Sequence, residues 1–165
     1  MAYSLYHPGS WVLITGASSG IGEAFAKRFA REGWNTVLLA RSRDKLEVLA
    51  ELLARESEVE TRVLAVDLTD PEAPRRIYEQ VKQDGITLEG LVNNAGCGYG
   101  GKFWEVPLER YLGMIDLNVR ALVELTHLFL PAMINRNRGF ILNVSSTACF
   151  QPLPYSSVYA ASKSF

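Results

Sequence analysis

A phenol and an ammonium stand four residues apart late in the 165-residue sequence, at Tyr159 and Lys163. On a helix that spacing puts both side chains on one face. A free phenol titrates at about 10 and is a poor acid or base near neutral pH. A neighbouring cation stabilises the phenolate and brings the group into the working range. The pair reads as an acid–base device; Tyr159 taken alone reads equally well as an aromatic packed in the core. A second set of residues is glycine-rich: Thr15-Gly16-Ala17-Ser18-Ser19-Gly20-Ile21-Gly22, with spacing GxxxGxG rather than GxGxxG. Glycines there permit a tight turn, close approach of backbone to a pyrophosphate, and close packing of the next helix, whose N-terminus favours an anion. By itself such a turn is also an ordinary flexible loop.

These residues need a scaffold, and the pattern of the chain supplies one. Short apolar runs at Trp11–Thr15, 36–39, 62–66, 90–93 and 140–144 are near-continuous, as strands covered on both faces are. Between them, Ile21, Phe25 and Phe29 recur at helical spacing over 21–31, and Leu46, Leu49 and Leu53 do the same over 43–56. Asp70 before Pro71 predicts an N-cap with proline at the first helical position, opening a third helix toward Asp84 that Gly85 closes. Residues 107–137 predict a long helix interrupted near Gly113, leaving through Asn137-Arg138-Gly139. Another helix begins at Ser157. Strand and helix alternate throughout, which selects an α/β fold with a doubly wound parallel sheet and right-handed crossovers. The expected organisation is a tail over 1–10 and a single domain over 11–165.

The glycine turn closes the first strand, Asn93-Asn94-Ala95-Gly96 closes the fourth, and Ser146 follows the fifth, thirteen residues before Tyr159-Ala160-Ala161-Ser162-Lys163. In these motifs and their order, over residues 11–165, the sequence resembles the compact branch of the short-chain dehydrogenase/reductase family, with its TGxxxGxG, NNAG and YxxxK segments. The resemblance implies a Rossmann-like sheet of strand order 3-2-1-4-5 and hydride transfer between a nicotinamide and a carbonyl or alcohol carbon. It implies catalytic roles for Asn118, Ser146, Tyr159 and Lys163. Tyr159 protonates the carbonyl oxygen while Ser146 holds it, Lys163 lies near the nicotinamide ribose, and Asn118 joins a proton relay to Lys163. Without the resemblance, Asn118 reads equally as a buried amide bonded to a backbone carbonyl. Ser145 competes with Ser146, but strand alternation lets only one face the site, and the family spacing selects Ser146.

The expected cofactor contacts are Gly16, Ser18, Ser19, Gly20, Ile21, Gly22, Arg41, Asp67, Leu68, Asn94, Ala95 and Gly96, with Tyr159 and Lys163. Sites that take NAD usually place an acidic residue at the end of the second strand. Here that position is Arg41, whose planar fork suits a 2′-phosphate, so the cofactor is read as NADPH. Arg41 and Arg43 read otherwise as solvated charges, and Ser42 as a helix N-cap in either case. Asp67 resembles the family residue that accepts a bond from the adenine amino group; it reads nearly as well as a turn residue. Cys97, Gly98, Gly100 and Gly101 are expected to form a mobile edge of the substrate cleft.

Seventeen basic and eighteen acidic residues leave a formal charge of -1, so no global field favours nucleic acid or an anionic membrane surface. The apolar stretch 117–134 is interrupted by Asn118, Arg120, Glu124 and His127 and is expected to be a buried helix, not a membrane span. Cys97 and Cys149 lack metal-ligand or disulfide-scaffold spacing, and no signal core precedes the first strand, so a reducing, cytoplasmic setting is expected. His7 and His127 attract no functional reading. The family normally continues past YxxxK with two more strands and a lid, so the fold is expected to be truncated there. A small carbonyl or alcohol substrate and a homo-oligomer that covers the fifth strand and the helical faces are expected partners. The rival reading is a fragment that binds dinucleotide or a partner and turns nothing over.

Overall fold

The computed structural model describes residues 9–165, so most of the expected tail, with His7, lies outside the described residues. Five parallel strands, β1 Trp11–Thr15, β2 Asn35–Ala40, β3 Thr61–Ala65, β4 Leu88–Asn93 and β5 Phe140–Asn143, form one sheet in the order β3-β2-β1-β4-β5. This is the expected α/β, Rossmann-like architecture. Alternation along the central strands sends side chains to two separate cores. Val12, Ile14 and Leu38 pack with Trp34 beneath helices α1 Gly20–Arg31 and α2 Arg43–Ser57. Leu13, Val37, Leu39 and Leu91 meet Ile77, Leu125 and Phe129 from the other side, on α3 Ala73–Gln83 and α5 Ala121–Asn135. Ser10, assigned to the tail, is buried, and its hydroxyl bonds Glu89.

Two elements depart from expectation, the second in two respects. The third helix starts at Ala73, because Asp70 spends its carboxylate on a turn: Oδ1 accepts from the Glu72 N–H, and the Ala73 N–H donates to the Asp70 carbonyl. The long helix is not interrupted at Gly113. Helix α4 Leu108–Ile115 runs into α5 through a π turn at Asp116–Arg120, closed by the Ala121 N–H on the Asp116 carbonyl five residues back. Nor is that helix buried all round. Tyr111, Met114, Asn118, Ala121, Leu125 and Phe129 face inward, while Leu108, Leu112, Ile115, Val123 and Ile134 are exposed. By length and composition alone, Leu108–Asn135 is apolar enough to cross a membrane, so the exclusion drawn from 117–134 does not extend to the whole helix. A last helix, α6 Ser157–Ser164, carries the Tyr159 and Lys163 pair.

Gly113 lies within a regular turn of α4, and a Cβ added there meets nothing within 4 Å. Its glycine therefore costs helix propensity without serving a close approach. Gly113→Ala is expected to stabilise the chain by about 0.5–1 kcal/mol, measured as a raised urea midpoint at unchanged m-value.

Candidate active site

The glycine turn works by backbone proximity. Gly16 adopts φ 68°, in the left-handed region. A Cβ on Gly22 would lie 2.2 Å from the Gly16 carbonyl oxygen, so α1 sits against the turn only because that position has no side chain. Asn94 fastens the same turn: its Nδ2 donates to the Thr15 carbonyl at 2.9 Å, and the N–H groups of Asn94 and Ala95 both donate to Thr15 Oγ1 at 2.9 Å. The ends of β1 and β4 are locked to one another, and the space above them is the mouth of the sheet. Ser19 and Ser42 stand at the N-cap positions of α1 and α2, and neither hydroxyl caps its helix.

A cavity of about 360 Å³ occupies that mouth. Of the residues expected to hold a cofactor, it is lined by Gly16, Ser18, Ser19, Ile21, Arg41, Asp67, Leu68 and the Asn94-to-Gly96 segment. Gly20, Gly22, Tyr159 and Lys163 are not on its wall; the first two shape the turn and the others lie beyond Gly96. Leu39, Ala40, Ser42, Val66 and Leu117 line it as well. Apart from Ser42 and Leu117 they sit at the ends of β2 and β3, where the rule that open α/β sheets bind at the carboxyl ends of strands could have found them. Arg41 Nη1 stands 4.0 Å from Asp67 Oδ2 with both side chains well exposed. Asp67 Oδ1 also accepts from the N–H and hydroxyl of Thr69, so the turn reading and the cavity-wall reading of Asp67 hold together.

The second half of the site converges on Asn118, which is 3% exposed. Its Oδ1 accepts from the Cys97 N–H at 3.0 Å, and its Nδ2 donates to the Cys97 carbonyl and to Ser162 Oγ, each at 2.9 Å. The buried amide bonded to a backbone carbonyl is thus present. Ser162 passes the connection on, donating to the Tyr159 carbonyl at 2.8 Å. Sequence reasoning missed Ser162; its place between Tyr159 and Lys163 was the only available signal. A Cβ on Gly96 would meet Lys163 Nζ at 3.0 Å and Asn118 Oδ1 at 3.2 Å, so both crowd one point over that glycine.

Lys163 Nζ donates to the Val144 carbonyl at 2.9 Å, tying α6 to the end of β5. Burial pushes the Lys163 ammonium below the usual lysine value, with Cys97 opposing the shift. Burial likewise pushes the Cys97 thiol up, against the fields of Arg41 and Lys163. The two serines after β5 take different partners. Ser145 Oγ donates to the Lys163 carbonyl at 2.6 Å, whereas Ser146 Oγ accepts from the Ala148 N–H at 3.2 Å and caps the short turn Thr147–Cys149. The segment after Asn94-Ala95-Gly96 is fastened as well, since the Gly101 N–H donates to the Tyr155 carbonyl at 2.8 Å.

Comparison with known proteins agrees with this fold. The family model for the short chain dehydrogenase matches residues 10–165. The very-long-chain 3-oxoacyl-CoA reductases of Anas platyrhynchos and Homo sapiens are each 37% identical over 163 residues, covering 95% of this chain and 51% of their own length. The chain spans about half the length of the curated relatives it matches. Among solved structures, a short-chain dehydrogenase from Sphingobium yanoikuyae in complex with NADPH is 38% identical, with a TM-score of 0.89 over 94% of this chain and 60% of its own. The L-sorbose reductase of Gluconobacter frateurii, complexed with NADPH and L-sorbose, is 36% identical, with a TM-score of 0.90 over 97% of this chain and 61% of its own.

Proposed function

The chain belongs to the short-chain dehydrogenase family, and from that premise we propose that it is the cofactor-binding and catalytic part of an NADPH-dependent carbonyl reductase. One observation carries the reading. The cavity that the glycine turn, Arg41 and Asp67 line ends at Gly96, and at Gly96 the Lys163 ammonium and the Asn118 amide close in from α6 and the π turn. The cavity proposed for the dinucleotide and the groups proposed to handle the proton therefore adjoin at Gly96.

The residues present fit the cofactor. The Gly16 and Gly22 cradle has no room for a side chain, α1 points its N-terminus at the cavity mouth, and Arg41 supplies a planar cation at the rim for a 2′-phosphate. NADPH, when bound, supplies the hydride. In this proposal Tyr159 delivers a proton from its phenol to the substrate's carbonyl oxygen, and Ser146 donates a hydrogen bond to that oxygen as negative charge develops on it. Lys163 places a cation on the same helix face as the phenol, which favours the phenolate left after the proton has gone. Asn118 holds the backbone at Cys97 and, like Lys163, approaches the space over Gly96, where a proton relay between the two would run. In oxidation each proton moves the other way. The substrates for which these relatives are named, a 3-oxoacyl-CoA and L-sorbose, share a ketone, and a ketone or the matching secondary alcohol is the substrate class proposed. The two free cysteines accord with a reducing cytoplasm.

Assembly forms a second part of the proposal. The outward face of α4 and α5 exposes Leu112, Ile115, Val123 and Ile134, the last at 64%. A row of that kind on one long helix suits burial against a second copy of the chain.

Tyr159→Phe keeps the ring and removes the proton, so NADPH consumption with a ketone panel should fall by roughly 10²- to 10⁴-fold while NADPH binding by fluorescence titration persists. Activity within about tenfold of the parent would remove Tyr159 from the chemistry; binding with no consumption in the parent itself would favour the non-catalytic rival. Arg41→Asp should weaken NADPH and favour NADH, read as the ratio of their dissociation constants; an unmoved ratio returns Arg41 to a solvated charge. Sedimentation velocity at low micromolar concentration should give a dimer or larger, reduced by Ile134→Asp. A monomer throughout would remove the proposed interface.

A further inference from the structure

Gly98 lies outside both the glycine turn and the Asn94-Ala95-Gly96 motif, and its backbone is not in the left-handed region, so an L-residue could adopt its conformation. What keeps a side chain away is the phenol ring. A Cβ built on Gly98 would meet Tyr159 Cδ2 at 3.0 Å, Cε2 at 3.2 Å and Cγ at 3.4 Å, one edge of the ring from root to middle. The neighbours show that this approach is held, not incidental. A Cβ on Gly100 would meet Ser156 Oγ at 3.3 Å, and the Gly101 N–H donates to the Tyr155 carbonyl at 2.8 Å. Residues 98, 100 and 101 therefore lie opposite 159, 156 and 155, running antiparallel to the entry of α6. At the other end of the segment, Cys97 is clamped by both its N–H and its carbonyl to the Asn118 amide. The strip is fixed at each end and presents the bare backbone of Gly98 to the ring.

We propose that Gly98 is a positioning residue for Tyr159: its bare backbone is the wall that sets where the phenol ring stands. This rests on the reading of Tyr159 as the acid–base group. The alternative to a wall is a mobile loop that happens to pass the ring, and the two differ in what a single methyl does. At 3.0 Å from a ring edge, a new methyl forces the ring or the strip to give by a few tenths of an ångström. The strip is tied at Cys97 and Gly101, so the ring is what moves. A displaced phenol misses the carbonyl oxygen, and misplacement of reacting groups by an ångström or less is felt strongly in turnover. Cofactor contacts at the glycine turn and Arg41 are remote from the contact and are left alone.

The test joins kinetics to a stability cycle. Gly98→Ala should lower kcat on the order of 10- to 100-fold while the NADPH dissociation constant stays within about twofold, since the cofactor wall is untouched. The second arm needs no turnover: melting temperatures of the parent, Gly98→Ala, Tyr159→Ala and the double variant. The loss caused by Gly98→Ala should vanish in the Tyr159→Ala background, where the methyl has room. If Gly98→Ala fails to fold and the double variant folds, the wall is supported; if neither folds, the added methyl is rejected by something other than the ring and the wall is overturned. An equal melting loss in both backgrounds, an unchanged kcat, or NADPH affinity falling in step with kcat would each overturn it too. Should Tyr159→Phe prove as active as the parent, the acid–base reading falls, while the melting cycle still reports whether Gly98 holds the ring.

Discussion

Asn118 brings two N–H donors and a carbonyl into a place that solvent scarcely reaches, and each of them costs about 1–3 kcal/mol if left unpaired. The chain meets that demand with three partners from two other elements: both polar groups of the Cys97 backbone and the Ser162 hydroxyl. Satisfying one buried amide thus fixes three things at once, namely the loop leaving β4, the π turn that carries Asn118, and the helix that carries Tyr159 and Lys163. Every one of those elements has freedom of its own. The loop is glycine-rich and α6 is only eight residues long, too short to be stable in isolation. Their shared dependence on one side chain makes the site a single object rather than three segments that happen to meet.

The π turn is the other side of that constraint. An α-helix running without interruption from Leu108 would present its residues in strict 3.6-residue succession, and both its ends must lie on packing already set by the sheet. A turn that closes five residues back inserts extra backbone and lets the two halves keep separate registers. Arg120 holds the widened turn from outside, donating to Asp116 within it and to the Thr69 carbonyl on the loop after β3. Upstream, Tyr111 and Met114 face inward; downstream, Ala121, Leu125 and Phe129 do so, and Asn118 is delivered between them at the level of the strand ends. The irregularity falls where the amide is needed, not at Gly113, where flexibility was available.

How much of this the residues declared in advance follows from how local each cause is. Strand positions were legible because apolar runs such as Val12 to Ile14 and Val37 to Leu39 have no other use in a chain of this length, whereas strand order followed only from the family resemblance that the motifs carry. The glycine turn was legible because Gly16 and Gly22 each carry a backbone requirement that their type announces. The π turn was not, since one extra residue in a turn smears a helical period without erasing it. The onset of α3 was misplaced because Asp70 can cap a helix or close a turn, and the choice depends on Glu72 and Arg76 as they fold back on it. Ser162 was invisible, and Gly98 legible only as part of a cleft edge, for a different reason. Serine in a helix and glycine in a loop are commonplace, and only the partners brought in from distant stretches of the chain give them meaning.

Gly96 shows the same logic applied to charge. An ammonium half-withdrawn from water loses hydration, and burial accordingly pushes Lys163 down from its usual value. As pH rises, such a lysine surrenders its proton before a free one would, which works against any role as a standing cation. The Cys97 field opposes the loss. The Val144 carbonyl at 2.9 Å accepts from the ammonium, as a partner that favours the charged form does, and the missing side chain at Gly96 leaves the space beside Nζ open. A methyl at that position would crowd Lys163 Nζ at 3.0 Å and Asn118 Oδ1 at 3.2 Å in the same stroke. The glycine is therefore required by space: it lets a cation from α6 and an amide carbonyl from the π turn approach one point at the end of the cavity, one helical turn after Tyr159.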